Sequence, residues 1–469
     1  MMDFTKMIHR AGLLLLAVVA MLVPSLPAAA VDIEKVVSKG EIEAWLVRDT
    51  KNPIIAMQFA FEGGTERDPA DKLGLAIMVA STMDEGAGNL DSQAFQGKLD
   101  ENSITLSFNA GRDAFVGQLV TLRETKDTAF DLMRLALTQP RFDMEAVERI
   151  RGQLQTSLRR SQADPSYWAQ LAFGYALFPN HPYGLPQRGF TETLAAITRD
   201  DLVQFARTRL SRQGLKVAVS GDITAKELAP LLDKLFGALP VKATLAPVAD
   251  VTPAAQGKTI LVPRPIPQTV MVLAHSGLDR SDPDWYAATI VNYVLGGGGF
   301  SSRLMDEVRE KRGLTYGIGS SLQSFDHANL ITVSGSTVNE KAAEAISVTK
   351  QIWGEVAKNG ITEAELRDAQ TYLTGSFPLQ FTNNGAIAGL LLQVQRDDLG
   401  IDFLNKRNDL LNAVTISDVK RVADRLLDPE KLTTVLVGQP VGIEPTGTFV
   451  MQGQKIGIVG PEALLDQPK

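Results

Sequence analysis

The order of apolar and polar positions shows one pattern written twice. Residues 202–210 (LVQFARTRL) place apolar side chains at helical spacing, and residues 215–220 (LKVAVS) follow as a strand ending at Gly221-Asp222. Residues 419–427 (VKRVADRLL) and 432–437 (LTTVLV) repeat that order and end at Gly438. Asp201 and Asp418 lie 217 residues apart, as do Gly221 and Gly438. One offset shared by two landmarks predicts an internal duplication. A third landmark follows a predicted strand in each half: Arg67-Asp68-Pro69 after strand 54–61, and Ser281-Asp282-Pro283 after strand 269–275, at an offset of 214 that implies small insertions.

Helix starts are marked by Thr-x-x-acid signals at Thr198/Asp201, Thr224/Glu227, Thr362/Glu365 and Thr415/Asp418. In such a capping box the Thr hydroxyl and the acid each satisfy an amide left free by the first turn. Residues 239–256 carry Pro240, Pro247 and Pro253 without helical periodicity, the composition of a semi-extended linker. The predicted organisation is a domain over 31–240, a linker over 241–256 and a second domain over 257–469. Strands and amphipathic helices mix in each half, with connections too varied for strict βαβ alternation. This predicts an α+β fold, each half an antiparallel sheet flanked by helices.

Composition narrows the chemistry. The 469 residues hold 47 Lys plus Arg against 54 Asp plus Glu, a formal charge of −7, with four His and no Cys. Absence of thiols excludes disulfides, Cys-ligated zinc, iron–sulfur clusters and a cysteine nucleophile. A mildly acidic chain with 44% apolar residues is neither a basic nucleic-acid binder nor a disordered tail.

The N-terminus has the order of a secretory signal peptide. Lys6 and Arg10 precede an uncharged apolar run over 11–23, and Pro24 leads to Ala28-Ala29-Ala30. Cleavage after Ala30 is the expectation, giving a mature chain near Val31. That chain is expected to be periplasmic or secreted, without stable membrane insertion, since the apolar run is shorter than the ~20 residues of a span.

The most specific text is Leu295-Gly296-Gly297-Gly298-Gly299-Phe300-Ser301-Ser302-Arg303-Leu304, continuing as MDEVREKRGLTYGIGSSL. The glycines permit positive φ and close backbone approach. Ser301 or Ser302 can cap a following helix, Leu304 and Val308 give it an apolar face, and Gly313 stops it. A phosphate loop is not supported, because no G-x-x-x-x-G-K-[ST] is present. His181, His275 and His327 lack partners at ligand spacing, and no G-x-S-x-G elbow occurs.

With Asn180-His181-Pro182-Tyr183-Gly184 and the paired strand-Gly endings, this text resembles the pitrilysin-like, or insulinase-type, zinc metallopeptidases. That family includes the mitochondrial processing peptidase and the core subunits of the respiratory bc1 complex. The resemblance spans nearly the whole mature chain. It implies the LuxS/MPP-like metallohydrolase fold, two homologous domains in a clamshell arrangement, and a peptide substrate. It also implies that Arg309 and Tyr316 hydrogen-bond the substrate carbonyl or the oxyanion, beside a substrate-binding loop of Gly296, Gly297, Gly298 and Gly299.

The resemblance further places an H-x-x-E-H zinc motif after Gly74-Leu75-Ala76. Here those five residues are Ile77, Met78, Val79, Ala80 and Ser81, so both His positions and the general base are replaced. The segment expected to hold the third, glutamate ligand, 153–161 before Asp164-Pro165, contains no acid. The implied role is therefore a non-zinc subunit of a heterodimeric metallopeptidase, inactive alone. It would contribute Arg309 and Tyr316 in trans to a homologous partner that bears H-x-x-E-H and the zinc. A catalytically inert peptide-binding or structural scaffold of the same fold is the alternative.

Overall fold

Both sheets order their strands alike around a central strand that is buried on both faces. The computed structural model describes residues 31–254, 256–452 and 455–460, so the predicted signal peptide lies outside the described residues. From Ile33 onward the chain is one compact unit. The N-terminal sheet contains β1 (Glu34–Val37), β2 (Glu43–Arg48), β3 (Ile54–Glu62), β4 (Thr105–Ala110), β5 (Ala114–Leu122) and β6 (Lys216–Gly221), in the order β1-β2-β6-β3-β5-β4. The C-terminal sheet contains β7 (Thr259–Pro263), β8 (Gln268–Ser276), β9 (Ile318–Ser324), β10 (Asn329–Val338), β11 (Thr433–Gly438), β12 (Gly447–Gln452) and β13 (Lys455–Val459), in the order β13-β12-β7-β11-β8-β10-β9. The order β2-β6-β3-β5-β4 in one half is β7-β11-β8-β10-β9 in the other. The duplication read from two offsets therefore extends to five strands and their neighbours.

The α+β class holds, with one refinement of the pairing. β2 with β6 and β7 with β11 are parallel, while β3 and β8 pair antiparallel to both of their neighbours. Long connections bring the last strand of each half back beside its first, which permits the parallel pair. The duplicated glycines serve the same end. Gly221 (φ 140°) and Gly438 (φ 150°) terminate β6 and β11, where a Cβ would lie 2.1 Å from the Ile54 carbonyl oxygen and 2.9 Å from that of Gln268.

Why residues 215–220 and 432–437 are apolar without alternation is explained by what covers each face. Leu436 of β11 belongs to the C-terminal core, while Val435 and Val437 on the opposite face pack against Ala169, Leu171, Ala172 and Ala176 of helix Pro165–Leu177, which belongs to the N-terminal half. The reverse exchange also occurs. Helix Asn384–Arg396 of the C-terminal half lies on β3 and β6, where Gln58 Nε2 donates to the Gly385 carbonyl (3.1 Å) and Gln395 Nε2 to that of Val217 (2.8 Å). Buried Asn384 accepts from Ser220 Oγ (3.1 Å) and donates to the Ile54 carbonyl (3.2 Å). Strands covered on both sides lose the in–out alternation of a half-wet sheet.

All four predicted capping boxes form. The described residues of 241–256 contain no regular element but are tied down at several points. Thr244 N–H donates to the Thr208 carbonyl (2.8 Å), Val251 N–H to that of His327 (2.9 Å) and Ala254 N–H to that of Leu177 (2.7 Å).

Candidate functional site

The glycine-rich text forms a tight turn between two π-helical segments, Tyr293–Gly297 and Met305–Glu310. π-Turns are rare and concentrate at functional sites. Ser302, almost fully buried, ties the turn together: its Oγ donates to the Gly299 carbonyl (2.7 Å) and accepts from Met305 N–H (3.5 Å). Leu304 and Val308 are fully buried, as their spacing predicted, but the second segment is π-helical over 305–310 rather than α-helical. Gly313 ends it at φ 59°, its N–H bonded to the Arg309 carbonyl (2.8 Å).

The four glycines have different positions. Gly296 is buried against β9, where a Cβ would stand 2.5 Å from Ser320 N, and Gly298 is packed on the Tyr293 carbonyl. Gly297 and Gly299 are exposed, and Gly299 faces open space at φ 61°. The part of the loop free to meet another molecule is thus Gly297, Gly299 and Phe300.

Arg309 is about one third exposed (31%) and pairs with Glu310 (2.9 Å), and its guanidinium lies 4.7 Å from the centre of the Phe300 ring. Tyr316 is 88% exposed. Its neighbours fix the backbone from which it projects. Leu314 is buried, and buried Thr315 places its Oγ1 within hydrogen-bonding distance of the carbonyls of Gly317 (2.8 Å) and Ser336 (2.7 Å), either of which can take its proton. Among the described residues no hydrogen bond joins Arg309 to Tyr316. Arg309 lies against the loop residue Phe300 and keeps donors beyond its pair with Glu310, and the exposed Tyr316 hydroxyl is a further donor; both are the kind of group that can stabilise an oxygen gaining charge. The chain text pointed to Arg309 and Tyr316 but not to Phe300, whose signal was its place at the end of the glycine run.

The positions that the zinc motif would occupy carry no metal ligand. Ile77 packs against the N-terminal core, Ala80 is buried at the C-terminal end of helix Leu75–Ala80, and Ser81 caps that helix through its N–H to the Ile77 carbonyl (2.9 Å). In helix Met144–Ser161, which contains the segment expected to supply the third ligand, Ser157 and Ser161 accept from Arg188 (2.7 and 3.0 Å). A guanidinium there has the wrong sign for a cation site. No cluster of three or more His, Asp or Glu suited to a metal occurs among the described residues. Hydrolytic zinc needs three protein ligands and a water-activating group, and none of these positions supplies one.

His181, His275 and His327 are occupied elsewhere. Burial lowers the pKa of His275, whose Nε2 accepts from Trp353 Nε1 (3.1 Å) while Nδ1 faces the Ser276 carbonyl (2.8 Å). His181 lies within 2.9 Å of the Ala249 carbonyl, and His327 within 3.0 Å of Asp250. The Asn180–Gly184 motif joins the halves. Buried Tyr183 donates to Asp113 (2.5 Å) and accepts from His327 N–H (3.0 Å), with Arg112 stacked 4.7 Å from its ring centre.

Comparison with known proteins agrees with this geometry. Residues 196–373 match the family described as "Peptidase M16 inactive domain". A protein named non-peptidase homolog YmxG from Helicobacter pylori is 27% identical over 378 residues, 80% of this chain and 86% of that protein. An uncharacterized zinc protease from Streptomyces coelicolor is 29% identical over 308 residues, 64% of this chain and 66% of the relative. The crystal structure of a peptidase M16 inactive domain from Pseudomonas fluorescens superposes with a TM-score of 0.82 at 26% identity, covering 88% of this chain and all (100%) of that one. Residues 196–373 thus resemble the M16 inactive domain, and the chain as a whole is similar to M16, pitrilysin-like proteins, among them relatives named as zinc proteases and one named as a non-peptidase homolog.

Proposed function

We propose that this chain is the non-zinc subunit of a heterodimeric peptidase. A homologous subunit would carry H-x-x-E-H and the metal, and this chain would present Arg309 and Tyr316 to the peptide. The observation that carries the reading is the contrast between halves. The metal positions are filled by apolar and small residues, while Tyr316 stands 88% exposed on a backbone fixed by Leu314 and Thr315. The guanidinium and phenol would donate to the substrate carbonyl oxygen and strengthen those bonds as it becomes an oxyanion. Removing one such donor typically costs about 10²–10³ in kcat. With residues 1–30 removed, the subunit would act in the periplasm; a mature N-terminus at Val31 in the isolated protein tests this.

Reconstitution tests the assignment. The purified chain alone should neither hydrolyse peptides nor retain zinc, and mixing with an H-x-x-E-H subunit should produce activity that Arg309→Ala and Tyr316→Phe each reduce strongly. Full activity in both variants would refute these roles. Peptide binding without hydrolysis in the presence of any H-x-x-E-H subunit would favour the inert scaffold, as the name of the Helicobacter pylori relative suggests for that protein.

A further inference from the structure

We propose that Phe300 is a positioning residue that sets the plane of the Arg309 guanidinium; the proposal rests on the reading above, in which Arg309 meets the peptide. Phe300 is 72% exposed, and among the described residues its ring meets the Arg309 guanidinium at 4.7 Å. The turn that presents it is firmly built. Ser301 Oγ donates to the Gly298 carbonyl (2.9 Å), Ser302 Oγ to the Gly299 carbonyl (2.7 Å), and Ser302 is 1% exposed. Gly299 takes φ 61° with no atom near its absent side chain, so glycine is required there by backbone direction rather than by crowding. The turn thereby brings the Phe300 ring under the Arg309 guanidinium carbon, 4.7 Å from the ring centre.

The chemistry of the contact explains its use. A guanidinium stacks through its face and donates through its edges. Stacking on Phe300 consumes none of the five N–H donors, whereas the pair with Glu310 (2.9 Å) engages one edge. Without the ring, the pair with Glu310 would hold the guanidinium by one edge and leave its plane free to turn. With it, the plane is fixed and donors remain for an incoming oxygen.

The test uses the full mature chain, alone and in the reconstituted complex. In the isolated chain, the Arg309 Nε–Hε resonance, assigned with Arg309→Lys, should be displaced by the ring current of Phe300. The displacement should vanish in Phe300→Leu and persist in Phe300→Trp. In the complex, Phe300→Leu should lower kcat about two- to fivefold, the range of an exposed cation–π contact. Phe300→Trp should restore it, and Phe300→Leu should have no further effect in an Arg309→Lys background. An Arg309 resonance unmoved by Phe300→Leu, equal losses for Leu and Trp, or an undiminished loss in the Arg309→Lys background would each overturn the proposal. Because the resonance is read without a partner, it judges the positioning even where activity insensitive to Arg309 refutes the peptidase reading.

Discussion

Glu365 holds Arg303 through two parallel hydrogen bonds of 2.7 Å each. The same carboxylate closes the capping box of helix Glu363–Gly375, accepting from Thr362 N–H at 2.7 Å. One side chain thereby joins the start of a surface helix to the end of the glycine turn. Burial pushes its carboxyl up, but the bonds from Arg303 and Thr362 outweigh it and bring the pKa down to about 2.

Replacing this carboxylate should cost stability in a pH-dependent way. Glu365→Gln is expected to lose about 1.5–3 kcal/mol near neutral pH, the range for hydrogen bonds to charged groups. The folded-state pKa lies below the ordinary value of 4.5, so the contribution is complete above about pH 4.5 and fades as pH falls toward about 2. Urea midpoints of wild type and variant should therefore converge on acidification; a gap constant with pH would count against this assignment.

The duplicated Asp after the first long strand makes an ion pair in both halves, but at different depth. Asp68 and Arg209 meet at 3.2 Å with side chains 0% and 15% exposed, whereas Asp282 and Arg425 meet at 2.7 Å with 15% and 49% exposed. Asp68→Ala leaves a buried guanidinium unpaired and should cost about 3–5 kcal/mol. Asp282→Ala should cost about 1 kcal/mol or less, because Arg425 reaches water and keeps Asp284 (2.6 Å). Chemical denaturation of the two variants decides the order.

Neither half should be stable alone. Cut at the linker, residues 31–240 would expose the face of helix Pro165–Leu177 that packs on β11, and would lose the cover of helix Asn384–Arg396 over β3 and β6. Each large apolar side chain returned to water forfeits about 1.5–3 kcal/mol, so a few of them match the ~5–15 kcal/mol stability of a typical domain. Separate expression of 31–240 and 257–469 should give aggregated or dye-binding material, and co-expression a soluble pair. Two independently folded, monomeric halves would contradict the exchange.

Restoring the zinc motif in part should fail. The variant I77H/A80E/S81H supplies two ligands and a base, but Ser157 and Ser161 remain engaged with Arg188 and no third ligand approaches. Metal analysis after dialysis should show no stoichiometric zinc. It should also show lower thermal stability, because Ala80 lies in the packed core.

Local chemistry was the legible part of this chain. The capping boxes, the Gly221 and Gly438 endings and the loss of zinc ligands each depend on a few neighbouring residues, and each reads directly from sequence. The exchange of helices did not. Helix Pro165–Leu177 is apolar nearly all round, which announces burial but not between which elements. Helix Asn384–Arg396 is fixed by Asn384 and Gln395, polar residues that look solvent-facing until their partners on β6 are known. The π-turns at Tyr293–Gly297 and Met305–Glu310 were also hidden, because their apolar spacing matches that of an α-helix.

The strapped segment 241–256 has a mechanical consequence. A hinge needs a few residues whose torsions can change without breaking other bonds. Here the backbone is anchored at Thr244 to one half and at Val251 to the other, while each sheet grips a helix from across the join. These anchors leave little freedom for a hinge between the halves, so under the reading proposed above a chamber shared with a second subunit would open by the parting of two whole molecules.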